Sequence, residues 1–425
     1  TKPLILTTFY YHKNKGKSYM SGIKDTKRKR EQRLRRRKIQ RLILIVVMVV
    51  AIIALALLIR SAVRSAANKF SNKAAKSSVT TSADKTTGSK KAKKKQTTTS
   101  SSSYNAQLDT VTLKKKGKNQ KKSDSVSLTI SSAGDCTLGT DENFSYTSSL
   151  NAYYDLYGAD YFFKHVKSIL EKDDLSIVNM EGTLTEETTR ELKTYAFKGP
   201  VEYASILSGS SIEAANLANN HSSDYGVKSY SDTIKALEDA GVSTFGYNRI
   251  KIFKIKGVKV GVTGIYELED HQDRATQVKE NIKALKKAGA QIIIINFHWG
   301  AEKVYVPDEN QKALAHLAID EGADLVIGHH PHVLEGVEKY KGKYIAYSLG
   351  NFCFGGNSNP EDTDSMIVQQ TFTIKNGKLT KSSKLKIIPC SITSSSGYND
   401  YCPAPLTGSE KKRVLKKLEK YSEGL

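Results

Sequence analysis

Three histidines fall within five residues at Gly328-His329-His330-Pro331-His332, one third of the nine in the chain. Neutral imidazole suits zinc, manganese, iron and nickel, so the first chemistry this cluster suggests is the holding of a divalent cation. Directly before it, Ala323-Asp324-Leu325-Val326-Ile327 is a short apolar run bounded by glycines, which reads as a buried strand. The cluster therefore sits at a strand's carboxyl end, where open α/β sheets place their binding sites. Residues two apart in extended chain project to one side. His330 and His332 are thus expected to aim at one ion, with Pro331 restricting the backbone between them, while His329 faces elsewhere. An isolated His-x-His also occurs on ordinary polar loops, so a ligand set needs partners.

The partners come from the ends of other predicted strands. Alternating Val126, Leu128 and Ile130 read as a strand that runs into Gly134-Asp135-Cys136-Thr137. A second, over 175–178, delivers Asn179-Met180-Glu181-Gly182, and an apolar stretch over 212–217 ends in Asn219-Asn220-His221. The strongly apolar 292–297 ends in His298-Trp299-Gly300. Each residue alone has an ordinary reading: Asp135 as a turn cap, Glu181 as a loop carboxylate, His221 as a cap, His298 as a satisfied core histidine. Five strand ends together point to one polar site and a divalent metal.

Stepping outward, helices are predicted over 161–171, 231–240, 275–288 and 309–320, and further strands over 242–245, 251–255, 259–263 and 344–347. Helices alternating with strands make the class α/β. Asn376-Gly377 between strand-like runs within 366–388 marks a hairpin. Val414, Leu415, Leu418 and Tyr421 mark one face of a short terminal helix.

Charge divides the chain. The formal net is +23, yet residues 1–41 carry 15 Lys/Arg against 2 Asp/Glu, and residues 60–124 carry 17 against 3. Residues 125–425 keep 34 basic and 38 acidic side chains, so the folded part is mildly acidic and lacks a nucleic-acid footprint. Between the basic arms, residues 42–59 are 18 apolar residues flanked by Arg41 and Arg60, long enough for a transmembrane helix. The denser upstream positive charge places the amino terminus in the cytoplasm and the rest outside. A cleaved signal peptide is disfavoured, because Arg60 and Arg64 stand where small residues would be cleaved. Met20 is the expected true start. Residues 60–124, rich in Lys, Ser and Thr, cannot bury enough apolar surface to fold and read as a disordered basic tether spanning roughly 45 Å. The expected organisation is a cytoplasmic arm (1–41), a membrane helix (42–59), a tether (60–124), a globular domain (125–390) and a carboxyl-terminal extension with a short helix (391–425). Cys390 and Cys402 flank a Ser/Gly-rich turn and are placed either to close a small disulfide loop or to stay as thiols.

Six motifs in fixed order, Gly-Asp-x-x-Leu-Gly from Gly134, Asn-x-Glu-Gly from Asn179, Ala-Asn-Asn-His-x-x-Asp-x-Gly from Ala218, His-Trp-Gly-x-Glu from His298, Gly-x-His-Pro-His from Gly328 and Tyr-Ser-Leu-Gly-Asn-Phe from Tyr347, resemble the CapA family, the poly-γ-glutamate capsule biosynthesis proteins also called PgsA. That family in turn looks like the calcineurin-type metallophosphoesterases. The resemblance implies a four-layer αββα sandwich holding one or two ions of manganese, zinc or iron. It makes Asp135, Glu181, Asn220, His298, His330 and His332 the metal ligands, with Glu181 bridging. His221 becomes the general acid or phosphate-contacting histidine, and Glu302 and Asn351 become substrate contacts. Two departures stand out: Thr137 replaces the histidine of the phosphoesterases' Asp-x-His, and Glu181 replaces an aspartate. One metal position is therefore in doubt.

A metal there would polarise a phosphoryl or amide oxygen and activate water, with His221 protonating the leaving group. Three functions follow: an anchored subunit of a poly-γ-glutamate synthesis and export complex, with membrane subunits as partners and the anionic polymer as ligand; a free-standing external hydrolase of phosphoesters or γ-glutamyl amides; or a wall-polymer binding module without turnover.

Overall fold

The computed structural model describes residues 104–113, 125–269 and 271–425. The basic arm, the apolar run 42–59, Met20 and most of the tether lie outside the described residues. Among the described residues no helix is long and apolar enough to cross a membrane.

The strand Ser125–Thr137 is the axis of the first sheet, and it is buried on both sides from Ile130 onward. It pairs parallel with Leu175–Met180 and antiparallel with Asp364–Lys375. The sheet continues outward through Ala214–Asn216 and Ser243–Phe245 on one side and Lys386–Ser391 on the other. The second sheet runs in the order Gln107–Leu113, Arg249–Ile255, Val258–Tyr266, Ile292–His298, Leu325–His329, Lys343–Ala346 and Val337–Tyr340.

The run Ile292-Ile293-Ile294-Ile295 explains why these strands read as continuous apolar stretches. Ile292 and Ile294 pack with Leu128, Ile177 and Val368 of the first sheet. Ile293 and Ile295 face the other way, against Ile282 and Leu285 of the helix Ala275–Lys287 and Leu314 of the helix Glu309–Glu321. Successive strand residues point to opposite faces, so a strand covered twice needs apolar residues at every position. Burying each isoleucine contributes about 1.5–3 kcal/mol. On the far side of the first sheet, Val178, Met180 and Ala215 pack against Phe162, Phe163 and Leu237. The layers are therefore helices, sheet, sheet, helices.

Local signals fix the element ends. The helix Glu309–Glu321 opens on a capping box, with Asp308 and Gln311 bonding each other's backbone N–H, and closes at Gly322 with φ 111°. Asn376 and Gly377, both at positive φ, turn Asp364–Lys375 into Lys378–Ser382 as expected.

Four expectations are corrected. The helix expected over 161–171 is a single turn, Lys167–Leu170, because the chain turns at the buried Phe162 and Phe163. An unforeseen helix, Leu150–Tyr157, is capped by the Ser149 hydroxyl, which accepts from Ala152 N, and ends at Gly158. Part of the expected tether is a strand: Gln107–Leu113 pairs parallel with Arg249–Ile255, with Val111 and Leu113 packed onto the inter-sheet core and Asp109 2.9 Å from Lys251 Nζ. The disulfide alternative also falls, since Cys390 and Cys402 are both buried free thiols. Cys402 donates to Tyr161 O at 3.1 Å and Cys390 to Ile388 O at 3.4 Å.

The terminal helix Gly408–Tyr421 buries Val414 and Leu418 and is pinned through Asp364. That carboxylate takes two bonds from Arg413, at 2.6 and 2.8 Å, and one from Lys417 at 2.8 Å. Burial alone would raise the Asp364 pKa, but the two cations hold it below the ordinary carboxylate value. A depressed folded pKa means the stabilisation is complete above the unfolded value near 3.9 and disappears as the pH falls through the folded value. Replacing Asp364 by Asn is expected to cost about 1–3 kcal/mol at neutral pH. In thermal melts against pH, the gap between wild type and Asp364→Asn should hold above about pH 5 and narrow below about pH 4. A gap independent of pH would show that the ion pairs contribute nothing.

Candidate metal centre

The predicted donors converge at the carboxyl ends of strands from both sheets. Asp135 lies on Ser125–Thr137, and Glu181 follows Leu175–Met180, its N–H donating to Cys136 O at 2.8 Å. His298 ends Ile292–His298, and His330 and His332 follow Leu325–His329. Close backbone approach sets this convergence. A Cβ at Gly134 would stand 2.0 Å from Gly350 O, and one at Gly328 would stand 1.8 Å from Tyr347 O and 2.4 Å from Trp299 Nε1, so only glycine fits at either place.

Two groups of donors share one carboxylate. Glu181, His298 and His330 bring ligand atoms within 4.8 Å of one another, and so do Asp135, Glu181 and His332. Glu181 Oε1 lies 3.7 Å from His298 Nε2 and 3.7 Å from His332 Nε2. Asn220 joins the first group, its Oδ1 2.7 Å from His298 Nε2. The expectation that extended backbone aims His330 and His332 at a single ion is corrected. His330 has φ 97° and His332 φ 58°, a region that L-residues enter at a cost, and the turn sends the two rings to different groups. His329 is corrected as well: it is buried at the site, with Nδ1 3.1 Å from Asp135 Oδ1.

The donors fit a cation on their own chemistry. Both Glu181 oxygens are buried with no hydrogen-bond partner, as is His330 Nδ1, and a buried carboxylate without donors demands a positive charge. Burial raises the Glu181 pKa to about 8 against the pull of His332. His298 is held well below the ordinary imidazole value by burial, and His330 is lowered to about 3 by burial and by the charge of His332, so both are neutral and ready to act as ligands. His332 goes the other way. Burial would lower its pKa, but Glu181 and Asp135 raise it to about 10. Asp135 stays well below the ordinary range, because His329 and His332 outweigh its burial. The Thr137 hydroxyl, in place of an imidazole, is buried without a hydrogen-bond partner.

His221 stands on the opposite side of Glu181, its Nε2 4.0 Å from Oε1. Its Nδ1 donates to Asp224 Oδ2 at 2.7 Å. Asp224, which the sequence reading did not select, also takes Lys193 Nζ at 2.7 Å and Phe197 N–H at 2.6 Å. The His-x-x-Asp spacing was the available signal; Lys193, 28 residues upstream on an irregular strap, left none. Asn179 was missed too. Its amide donates to Asp135 Oδ1 at 2.9 Å and lies 3.3 Å from His298 Nδ1. Asn351 Oδ1 accepts from His332 Nδ1 at 2.8 Å, so this amide holds the ring. Glu302, exposed on the loop after Gly300, makes no hydrogen bond among the described residues and acts on Glu181 and His332 through its charge.

Residues 129–356 match the family described as Bacterial capsule synthesis protein PGA_cap. The chain belongs to this CapA/PgsA family. The matched span of the capsule synthesis family encloses every donor above. Among its relatives, the capsule biosynthesis protein CapA of Bacillus anthracis is 31% identical over 291 residues, covering 62% of this chain and 68% of that protein. The PGA biosynthesis protein CapA of Bacillus subtilis is 29% identical over 294 residues, covering 62% and 73%. A probable polyglutamine synthesis accessory protein of Mycobacterium tuberculosis is 27% identical over 209 residues, covering 42% and 55%.

Because Glu181 belongs to both groups, Glu181→Ala should weaken divalent-metal binding more than His330→Ala or His332→Ala, each of which removes a donor from one group. Elemental analysis and calorimetric titration with manganese or zinc check this. The shared-carboxylate geometry is wrong if Glu181→Ala keeps full stoichiometry.

Proposed function

We propose that the chain acts in making or exporting a poly-γ-glutamate capsule, as a single-pass membrane protein with its amino terminus in the cytoplasm and its metal-bearing domain outside the cell. The carboxylate shared by two groups of neutral imidazole and carboxylate donors carries the reading. The names of the Bacillus relatives support the polymer, and the apolar run 42–59 with its basic upstream arm supports the anchor. Membrane subunits of a synthesis complex are the expected partners. The paired sheets with donors at their carboxyl ends fit a metallophosphoesterase-like domain.

Glu181, His298, His330 and Asn220 would hold one manganese, zinc or iron ion, and Asp135, His332 and Glu181 a second, which Thr137 leaves one imidazole short. A divalent ion there supplies Lewis acidity and lowers the pKa of water. The chain's own residues supply the rest. Asp224 fixes the His221 tautomer with Nε2 toward Glu181, so a proton on Nε2 is delivered at the side where a leaving group departs. Lys193 holds Asp224 and also donates to Asn220 O at 2.7 Å, which ties the acid to an amide donor.

This His221–Asp224 pair favours a second reading, an external hydrolase of phosphoesters or γ-glutamyl amides, over a binding module, since binding alone needs no proton donor. Turnover of a phosphodiester and of a γ-glutamyl amide by the full chain tests both. His221→Ala should lose about 100-fold or more, as expected for general acid–base catalysis, with metal content unchanged. Absence of turnover with metal bound, alongside loss of surface polymer when the gene is deleted, would leave the capsule role and remove the hydrolase.

A further inference from the structure

More than half of the large apolar side chains that the described residues leave exposed sit on loops leaving the site end of the strands: Leu192 and Tyr195 on the strap after Glu181, Val227 after His221, Val304 and Val306 after His298, and Tyr398 beside Phe354. These loops flank the metal centre. Lys193 on the strap bonds Asn220 O, and Lys303 N–H donates to Pro331 O at 2.8 Å. Aromatic rings continue inward from the rim: Tyr195 stacks on Phe197, Phe197 lies 4.6 Å from the His221 ring, and Phe354 lies 5.0 Å from the His332 ring. A polar centre needs no apolar rim for its own chemistry. Exposed apolar residues gathered at one end mark an interaction surface.

A second observation identifies the partner. Tyr104, the first described residue, donates through its hydroxyl to Asn281 Oδ1 at 2.7 Å and to Tyr247 O at 3.1 Å. The Tyr247 hydroxyl in turn donates to Asn219 O at 2.7 Å. The chain arriving from the apolar run 42–59 therefore joins the domain beside the metal centre and not at the opposite end. Lys303, next to Val304 and without an ion pair among the described residues, supplies a cation at the same rim. Tyrosine, aliphatic tips and an unpaired lysine are what a lipid–water interface takes up.

We infer that the rim of the metal centre is a lipid-docking surface, which presses the mouth of the site onto a bilayer carrying anionic headgroups so that substrate reaches it from the membrane. The inference rests on the membrane-anchored reading above. It goes further by assigning which end of the domain touches lipid.

The test uses the full chain in vesicles of phosphatidylcholine and phosphatidylglycerol. All four native cysteines are buried, so a fluorophore is placed on Leu192→Cys, on Val304→Cys and, as the control at the amino-terminal end of Leu175–Met180, on Lys172→Cys. Lipids with a nitroxide near the headgroup are expected to quench the two rim labels at least about threefold more than the control, for residues within 5–10 Å of the interface. Serine at Val304 and Val306 together should abolish the difference for the Leu192 label. Equal quenching at all three positions in a chain that co-floats with vesicles overturns the docking surface and leaves the anchor standing. A chain that does not co-float overturns both.

Discussion

The structure turns on a carboxylate buried where nothing can donate to it. Glu181 is fully enclosed, and neither oxygen has a hydrogen-bond partner. Removing an ionised carboxylate from water costs several kcal/mol, and no backbone N–H offsets that cost here. Compensation has to come from positive charge, whether a proton shared with His332 or a cation between the donors. The neighbours are arranged to that end. Burial keeps His298 and His330 neutral, and Asp135 remains ionised beside His329 and His332.

Such a site is expensive to assemble, and the expense falls on the backbone. His330 and His332 occupy the positive-φ region at about 1–3 kcal/mol each. They are held there from several directions: His330 N–H donates to Asp135 Oδ2 at 3.2 Å, Asn351 grips the His332 ring, and Lys303 N–H caps Pro331 O. Two sheets packed face to face supply the rigidity, since strands such as Ile292–His298 are anchored on both faces before they deliver a ligand.

Much of this was legible in the residues. Apolar runs marked the inner strands, because double coverage demands them. Histidine and carboxylate at strand ends marked the site, because few other roles place those types there. What escaped was information the sequence does not carry locally. Extended geometry at His330-Pro331-His332 was inferred from spacing, yet the loop is bent by contacts with distant residues, which also brought His329 inward. Lys193 and Asp224 meet across 31 residues of irregular chain. The strand Gln107–Leu113 has the polar composition of its surroundings and is fixed by its neighbour Arg249–Ile255 and by Tyr104. Cys390 and Cys402 looked like a pair by separation, but each was claimed by a different carbonyl.

The chain contains one tryptophan, and it stands directly behind the histidine loop. Trp299 is wholly buried, its ring centre 4.2 Å from that of Phe297, and its indole N–H donates to Tyr347 O at 2.8 Å over Gly328. Intrinsic emission from this molecule therefore has one source, in one packing environment, one residue from a ligand and pressed against the glycine that starts the loop. Any loosening of that loop is written into the fluorescence spectrum of the unlabelled protein.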